Sequence, residues 1–341
     1  MNNGTARPHR SFLVTCVGAY DDSGIGTGGF VCVHDSTPAV VDKIDSTGLC
    51  ASSGTYYRFA RGLRSIVGYR SDGVRLILRV PEGRDIHDFT LLDGQFVCVS
   101  TGTNEILWID PFGRVARRWQ PNGERDAWHL NCLCDVDGRL HVSAFGEFGS
   151  HREWVGNCRG QGFILEVESG RKVVAELNGP HNPRYIGGEW VVCDSHASSI
   201  VFRRATEPPR SVQLRGFTRG LAYDDHFLYV GESADRKADI PAEFSSIAVL
   251  DRSTLEVVER IGIPFPEIYE LMIVPPDLTE AITIKPEAFQ LDRSPERFAQ
   301  LERQVEIGWK EIESLKRRLD PLLGVEYLRG RLVQFKRRLV G

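Results

Sequence analysis

The sequence predicts an all-β, six-bladed β-propeller with a C-terminal helical tail, and three observations carry that reading. The first is a set of short runs with alternating apolar residues: Phe96–Ser100, Leu140–Ala144, Trp190–Asp194 and Phe227–Gly231. Each follows a tight-turn signal, namely Asp93-Gly94, Asp137-Gly138, Gly187-Gly188 or Asp224-Asp225. Alternation marks a half-buried strand, and a two-residue turn between two such runs makes a hairpin. The second observation is that the segments leading into those turns recur. Five begin at Thr47, His87, Asn131, His181 and Thr218, with a sixth candidate at Glu270, in steps of 40, 44, 50, 37 and 52 residues. One four-stranded blade fits each step. The third observation is that the two ends of the repeat are complementary. Phe12–Val17, Phe30–His34 and Ala39–Ile44 supply three strands without an inner one, and the segment from Glu270 supplies a single strand. Joining them closes the ring and removes its open edges.

Taken in order, residues 1–10 form an N-terminal arm and residues 11–280 the propeller. The third strands read Ser65–Tyr69, Glu105–Asp110, Phe163–Glu168, Ser199–Arg203 and Ser246–Asp251. The fourth strands read Val74–Val80, Arg114–Gln120, Lys172–Leu177, Ser211–Leu214 and Val257–Ile263. Residues 281–293 read as a linker. From Ser294 the glycines thin out, and Phe298, Leu301, Val305, Gly308, Ile312, Leu315 and Leu319 alternate gaps of three and four, a coiled-coil-like seam. Ser294-Pro295 suits the start of that helix, and Pro321 with Gly324 ends it. A second helix from Val325 sets Arg329, Arg331, Lys336, Arg337 and Arg338 against Leu328, Leu332, Phe335 and Leu339. The tail at 294–341 is expected to make a homo-oligomer or to tether the propeller. Residues 325–341 alternatively suit peripheral contact with an anionic membrane surface.

Composition narrows the function classes. A net charge of −4 offers no basic field for nucleic acid, so no nucleic-acid partner is expected. No apolar run approaches the length of a membrane-spanning helix. The polar start, Met1 to Arg10, lacks the apolar stretch of a secretory signal. The expected location is therefore cytoplasmic, with the inner face of the membrane as the alternative. Eight cysteines in 341 residues read as reduced, buried thiols.

The inner strands of a propeller line its central channel, so the aligned column nominates the side chains that converge at one mouth. These are Thr47, His87, Asn131, His181, Thr218 and Glu270, with neighbours Asp88, His129, Asn182, Arg219 and Glu267. Second-strand ends add Ser143, Asp194, His196 and Glu232. A hydrated channel needs polar residues, but three histidines with carboxylates and an arginine exceed what hydration requires. Three chemistries fit. His87, His129 and His181, with Asp88 or Glu270, would suit a divalent metal such as zinc or manganese. His181 or His87 would serve as general base beside Arg219, with Glu270 a further acid–base candidate. The same groups would also bind a hydroxyl-rich small molecule or glycan through Asn131, Asn182, Arg184, Glu232 and Asp88, with Trp128 stacking on a sugar ring. The leading expectation is a lyase, hydrolase or isomerase acting on a sugar-like or acidic small molecule. The alternative is a non-catalytic binding or scaffold propeller.

Several apparent motifs dissolve on inspection. Gly24-Ile-Gly26-Thr-Gly-Gly29 matches a dinucleotide fingerprint, but a strand follows where a helix is required. Cys132-Leu-Cys134 has no second pair and reads as strand core. Asp194-Ser195-His196 contains triad residue types, yet adjacent residues cannot form one relay. The insertion 147–162 lengthens one blade and suits a lid over a mouth.

Trp128-His-Leu-Asn131, Pro180-His-Asn-Pro-Arg184, Gly216-Phe-Thr-Arg-Gly-Leu-Ala222 with Tyr229-Val-Gly-Glu232, and Pro266-Glu-Ile-Tyr-Glu270 together resemble an uncharacterised bacterial propeller family, over about residues 45–280. Its members are a domain of unknown function that often travels with glycosyltransferases and other polysaccharide-assembly enzymes. The resemblance implies a glycan or secondary-metabolite setting without naming a reaction. The family more often has serine where this chain has Asn182, and leucine where it has Glu232.

Overall fold

The computed structural model describes residues 10–18, 28–233 and 245–291. Within them six four-stranded antiparallel sheets are arranged as predicted. Blade one begins with its inner strand Ser46–Ser52, blade two with Ile86–Leu92, blade three with Leu130–Val136, blade four with Pro180–Ile186 and blade five with Phe217–Tyr223. Blade six joins both ends of this chain. Its inner strand is Glu267–Ile273, which pairs with Phe12–Val17, and Gly29–His34 and Thr37–Asp42 complete the sheet. The expected closure is therefore observed, and it leaves no inner edge unpaired.

The hairpin turns explain why strands form where they do. Asp93, Asp137 and Ser53 take positive φ beside Gly94, Gly138 and Gly54, the conformation that two-residue hairpins demand. Between the blades lie apolar clusters, such as Cys50, Tyr57, Phe59 and Leu78 of blade one against Phe89, Phe96 and Leu107 of blade two. Each blade thus buries its face on its neighbour, and the ring is one continuous unit.

All six inner strands share one irregularity: the register with the second strand shifts near the leading end. A bulge of this kind inserts an extra residue and re-aims the side chains beside it. In blade one the extra residue is Gly48, at φ +52°, and a Cβ there would lie 2.9 Å from the Phe89 ring and 3.1 Å from Asp88 Oδ1. Gly48→Ala should therefore lower stability by about 1–2 kcal/mol from the left-handed backbone alone, before any displacement of Phe89. A urea midpoint unchanged from the parent would contradict this packing.

The seam where blade six meets blade one holds a fully buried arginine. Arg58 donates from Nε to the Tyr69 hydroxyl (2.7 Å), from Nη1 to Asp42 Oδ1 and Ser46 Oγ (3.0 Å each), and from Nη2 to Asp42 Oδ2. Its guanidinium lies 4.3 Å from the Phe30 ring centre. Phe30 and Asp42 belong to blade six and Arg58 to blade one, so the clamp joins the closing blade to its neighbour.

After the closing strand the chain turns back over this seam. Helix α1, Pro276–Ile284, places Leu278 and Ile282 against Phe30 and Tyr69, and Phe289 stacks near Tyr69. The linker expected from residue 281 is thus in part a packed helix, because the apolar spacing of Leu278 and Ile282 meets an apolar seam. The helical tail at 294–341, with its oligomer and membrane expectations, lies outside the described residues, as does the glycine-rich stretch before Gly28. Among the described residues no helix is long and apolar enough to cross a membrane.

Candidate functional site at the channel mouth

The inner strands all run the same way, so their leading ends gather on one face with the loops that follow the second strands. Five expected residues meet there: His87, His129, Asn131, His181 and Arg219. Asn131 is the organiser of two of the rings. Its Nδ2 donates to the His129 carbonyl (3.0 Å), which leaves its Oδ1 to accept from His87 Nδ1 (2.8 Å). The other His87 nitrogen faces Asp85 Oδ2 at 3.3 Å. Both ring nitrogens therefore face side-chain oxygens. Burial pushes the Asp85 carboxyl up, but the adjacent His87 and Arg61 outweigh it and hold that carboxyl well below its usual range.

His129 and His181 are neutral bases with fixed tautomers. His129 donates Nδ1–H to Asp126 Oδ1 at 2.7 Å, and burial lowers its pKa to about 4 despite that carboxylate. For His181 the deduction uses a serine. Ser195 Oγ donates its only proton to the Thr218 carbonyl (2.6 Å), so it must accept from His181 Nδ1 (2.7 Å), which also faces the Gly179 carbonyl at 3.0 Å. Burial, followed by the charge of Arg219, holds His181 well below its ordinary pKa. On both rings Nε2 keeps its lone pair.

Opposite these acceptors stand two donors. Arg219, 6% exposed, donates from Nη1 to Glu267 Oε1 at 2.8 Å and lies 3.7 Å over the Tyr269 ring. Among the described residues, neither Arg219 Nε nor the Tyr269 hydroxyl, both buried, has a hydrogen-bond partner. Burial raises the Tyr269 pKa well above its ordinary value, so the phenol remains a donor. The Tyr269 ring is 5.8 Å from His87, whose ring is 5.1 Å from His129. Guanidinium, phenol and imidazoles thus form one contiguous set.

The insertion after the second strand of blade three covers one side of this set. Trp154 lies 4.0 Å from the His129 ring and donates Nε1–H to the Asp126 carbonyl, while Phe145 packs between His129 and His181. The expected lid is therefore an aromatic wall of the mouth.

Other sequence expectations are corrected. Asp88, Asn182 and Glu270 directly follow His87, His181 and Tyr269, Arg184 lies two residues beyond Asn182, and all four act as struts between blades. Glu270 accepts from Leu221 N, Leu271 N, Asn182 Nδ2 and Arg184 Nη2, so its lone pairs are spent and an acid–base role does not fit. Asn182 Oδ1 accepts from Gly220 N, and Asp88 accepts from Phe89 N and Leu133 N. Trp128 packs on Phe163 within the blade-three core, so it is no stacking platform. Glu232 is held by Arg260 and Ser246 of the outer strands of blade five and by Arg215 N, so its carboxylate is committed to structural partners. The three-histidine metal set does not form either. Each ring has Nδ1 committed to a different partner, and among the described residues no group of three His, Cys, Asp or Glu is placed to hold a metal.

Burial next to Glu270 pushes Asp88 up to about 7. The native state then keeps a proton that the unfolded chain releases near pH 4, so stability falls as pH rises from about 4 to 7. Asp88→Asn should remove that dependence. Comparing urea stability at pH 5 and pH 7, the parent should lose about 2 kcal/mol more than the variant. Equal losses would contradict the assignment, and the fixed cost of the amide cancels in the comparison.

The Pro180–Arg184 and Thr218–Leu221 segments, whose bulges set this geometry, lie within a stretch that matches a known family. Residues 79–282 match the family described as Domain of unknown function (DUF4915). The chain belongs to the DUF4915 family. No curated protein matches it. Among solved structures, a protein of unknown function from Bacteroides caccae is 15% identical with a TM-score of 0.56, covering 77% of this DUF4915 chain and 98% of its own. The nidogen/laminin complex contains a chain 10% identical with a TM-score of 0.52, covering 76% and 97%. A gluconolactonase from Xanthomonas campestris is 14% identical, covers 78% and 91%, and has a TM-score of 0.49. At these identities the likeness is one of fold alone.

Proposed function

We propose that the mouth is the active site of a proton-transfer enzyme, of the lyase or isomerase type, acting on a small hydroxyl-bearing acid. The observation that carries this reading is the pair of buried donors, Arg219 Nε and Tyr269 Oη, that find no acceptor among the described residues, beside neutral imidazoles. Buried polar groups are normally paired, and an unpaired pair of donors suits an anionic oxygen supplied by a ligand. Arg219 and Tyr269 would hold a carboxylate or the enolate oxygen that grows when a neighbouring carbon loses its proton. His181 Nε2 would take that proton, with Ser195 and Gly179 keeping its tautomer correct. His129 with Asp126 offers a second base, and Trp154 a face for a sugar-like ring. The glycan setting implied by the family resemblance makes sugar acids the first class to test.

A thermal-shift panel of aldonic and uronic acids against their neutral sugars tests the binding half. At a hundredfold excess over Kd an acid should add about 2.7 kcal/mol, which in a chain this size is roughly 5 °C in Tm. Arg219→Gln should abolish the shift. Equal shifts from neutral sugars, or an unchanged shift in Arg219→Gln, would refute the anion role.

A further inference from the structure

Beyond the imidazoles of the mouth, one thiol has a setting that no other cysteine shares. No disulfide joins the eight cysteines; all but Cys134 are buried, Cys158 included, and for the seven other than Cys158 burial pushes the thiol above its ordinary range. The eighth, Cys158, lies in the blade-three insertion with its Sγ 3.4 Å from His196 Nδ1. The contact is built from both sides. The His196 backbone N–H donates to the Asn178 carbonyl, and Asn178 is fixed in turn by Asp194, which accepts from its backbone N–H and its Nδ2. Asn178 Oδ1 accepts from Gly160 N at 3.1 Å, which ties the insertion to the same anchor two residues after the thiol. The His196 ring rests on Gly179, at φ +66°, where a Cβ would lie 2.9 Å from Nδ1. Phe145 and Phe217 hold the ring at 5.2 and 5.6 Å and place it on the wall of the mouth.

We propose that Cys158 and His196 form a nucleophilic pair, a covalent-modification site at the mouth that takes small α,β-unsaturated carbonyl compounds. A thiol reacts as its thiolate, and an adjacent imidazole supplies that form by accepting the proton. A thiolate is a soft nucleophile, and the activated alkene is its matching electrophile. The balance is an addition. The Cys158 Sγ–H proton passes to His196 Nδ1, Sγ bonds to the β-carbon, and the alkene pair moves to the α-carbon. That carbon then takes the proton back from His196, so nothing leaves and no oxidant is needed. An adduct at Cys158 would also displace the insertion and with it Trp154. The site rests on the Cys158–His196 contact and stands apart from the acid-binding reading above.

The test is labelling of the folded full chain with N-ethylmaleimide, followed by intact mass and peptide mapping. The expected result is one adduct, on Cys158, before any other thiol reacts. In His196→Asn that adduct should form about tenfold more slowly or worse, and in Cys158→Ser native labelling should be lost. First labelling of another cysteine in the parent chain overturns the proposal, and so does an unchanged rate in a folded His196→Asn. Should His196→Asn fail to fold by circular dichroism, His196→Gln and the order of labelling in the parent chain decide.

Discussion

Replacing Arg58 by methionine should cost the propeller about 3–5 kcal/mol, the usual penalty for stranding one partner of a buried ion pair. Arg58 is fully buried and is the cation that Asp42 faces across the closure seam. Methionine fills much of the volume against Phe30 and Tyr69 but offers Asp42 nothing. The Tyr69 hydroxyl and Ser46 Oγ lose a donor at the same stroke. Urea unfolding should show the midpoint falling with little change in slope. The double variant Arg58→Met, Asp42→Leu should recover a large part of the loss, because the desolvated charge goes with its partner. A loss under 1 kcal/mol in the single variant would mean that the clamp contributes little to closure.

On the acid found by thermal shift, His181→Gln should lower turnover by about 10²–10⁴-fold, the range expected for a general base, while binding stays within a few-fold. The split matters because Arg219 should behave differently: its removal weakens binding and turnover together. Turnover in the parent should fall as the base gains a proton. Since burial and Arg219 hold His181 well below its ordinary pKa, activity should persist under pH 6. Activity that disappears around the ordinary histidine pKa would exclude His181 as the base. Unchanged kcat in a folded His181→Gln would do the same.

The fold was legible because its punctuation is local. Asp-Gly and Gly-Gly turns fix each hairpin within a few residues, and the complementary ends of the repeat reveal the closure. Blade six shows where that stops working. Its inner and second strands come from opposite ends of the chain and share no turn, and its bulge places Tyr269, the residue skipped between Ile268 and Glu270 in the register, at the mouth. An alignment by turns therefore nominates Glu270, one residue too far. A bulge is set by pairing with Phe12–Val17, some 255 residues away in sequence, and leaves no local mark. Trp128 and Trp154 make the same point. Both are tryptophans near His129, and only the path of the insertion decides which one reaches the ring. Glu232 was nominated by strand position, yet its partners come from two further strands of its own blade. His87 and Arg219 lie among the residues their registers skip, His181 pairs just before its blade's shift, and His129 directly precedes its inner strand.

The ring has no beginning until its last strand arrives. During synthesis Phe12–Val17 emerges early, but its inner partner follows about 255 residues later. At ribosomal rates of about 5–20 residues per second that is a wait of roughly 13–50 s. Throughout it, the open side of that strand is a template for any other extended chain. The Arg58–Asp42 pair does not wait for the closing strand, since both residues emerge early, so blade one can dock on the unfinished blade while the rest is made. The slow, exposed stage of this protein's life is thus written into which strand completes which blade.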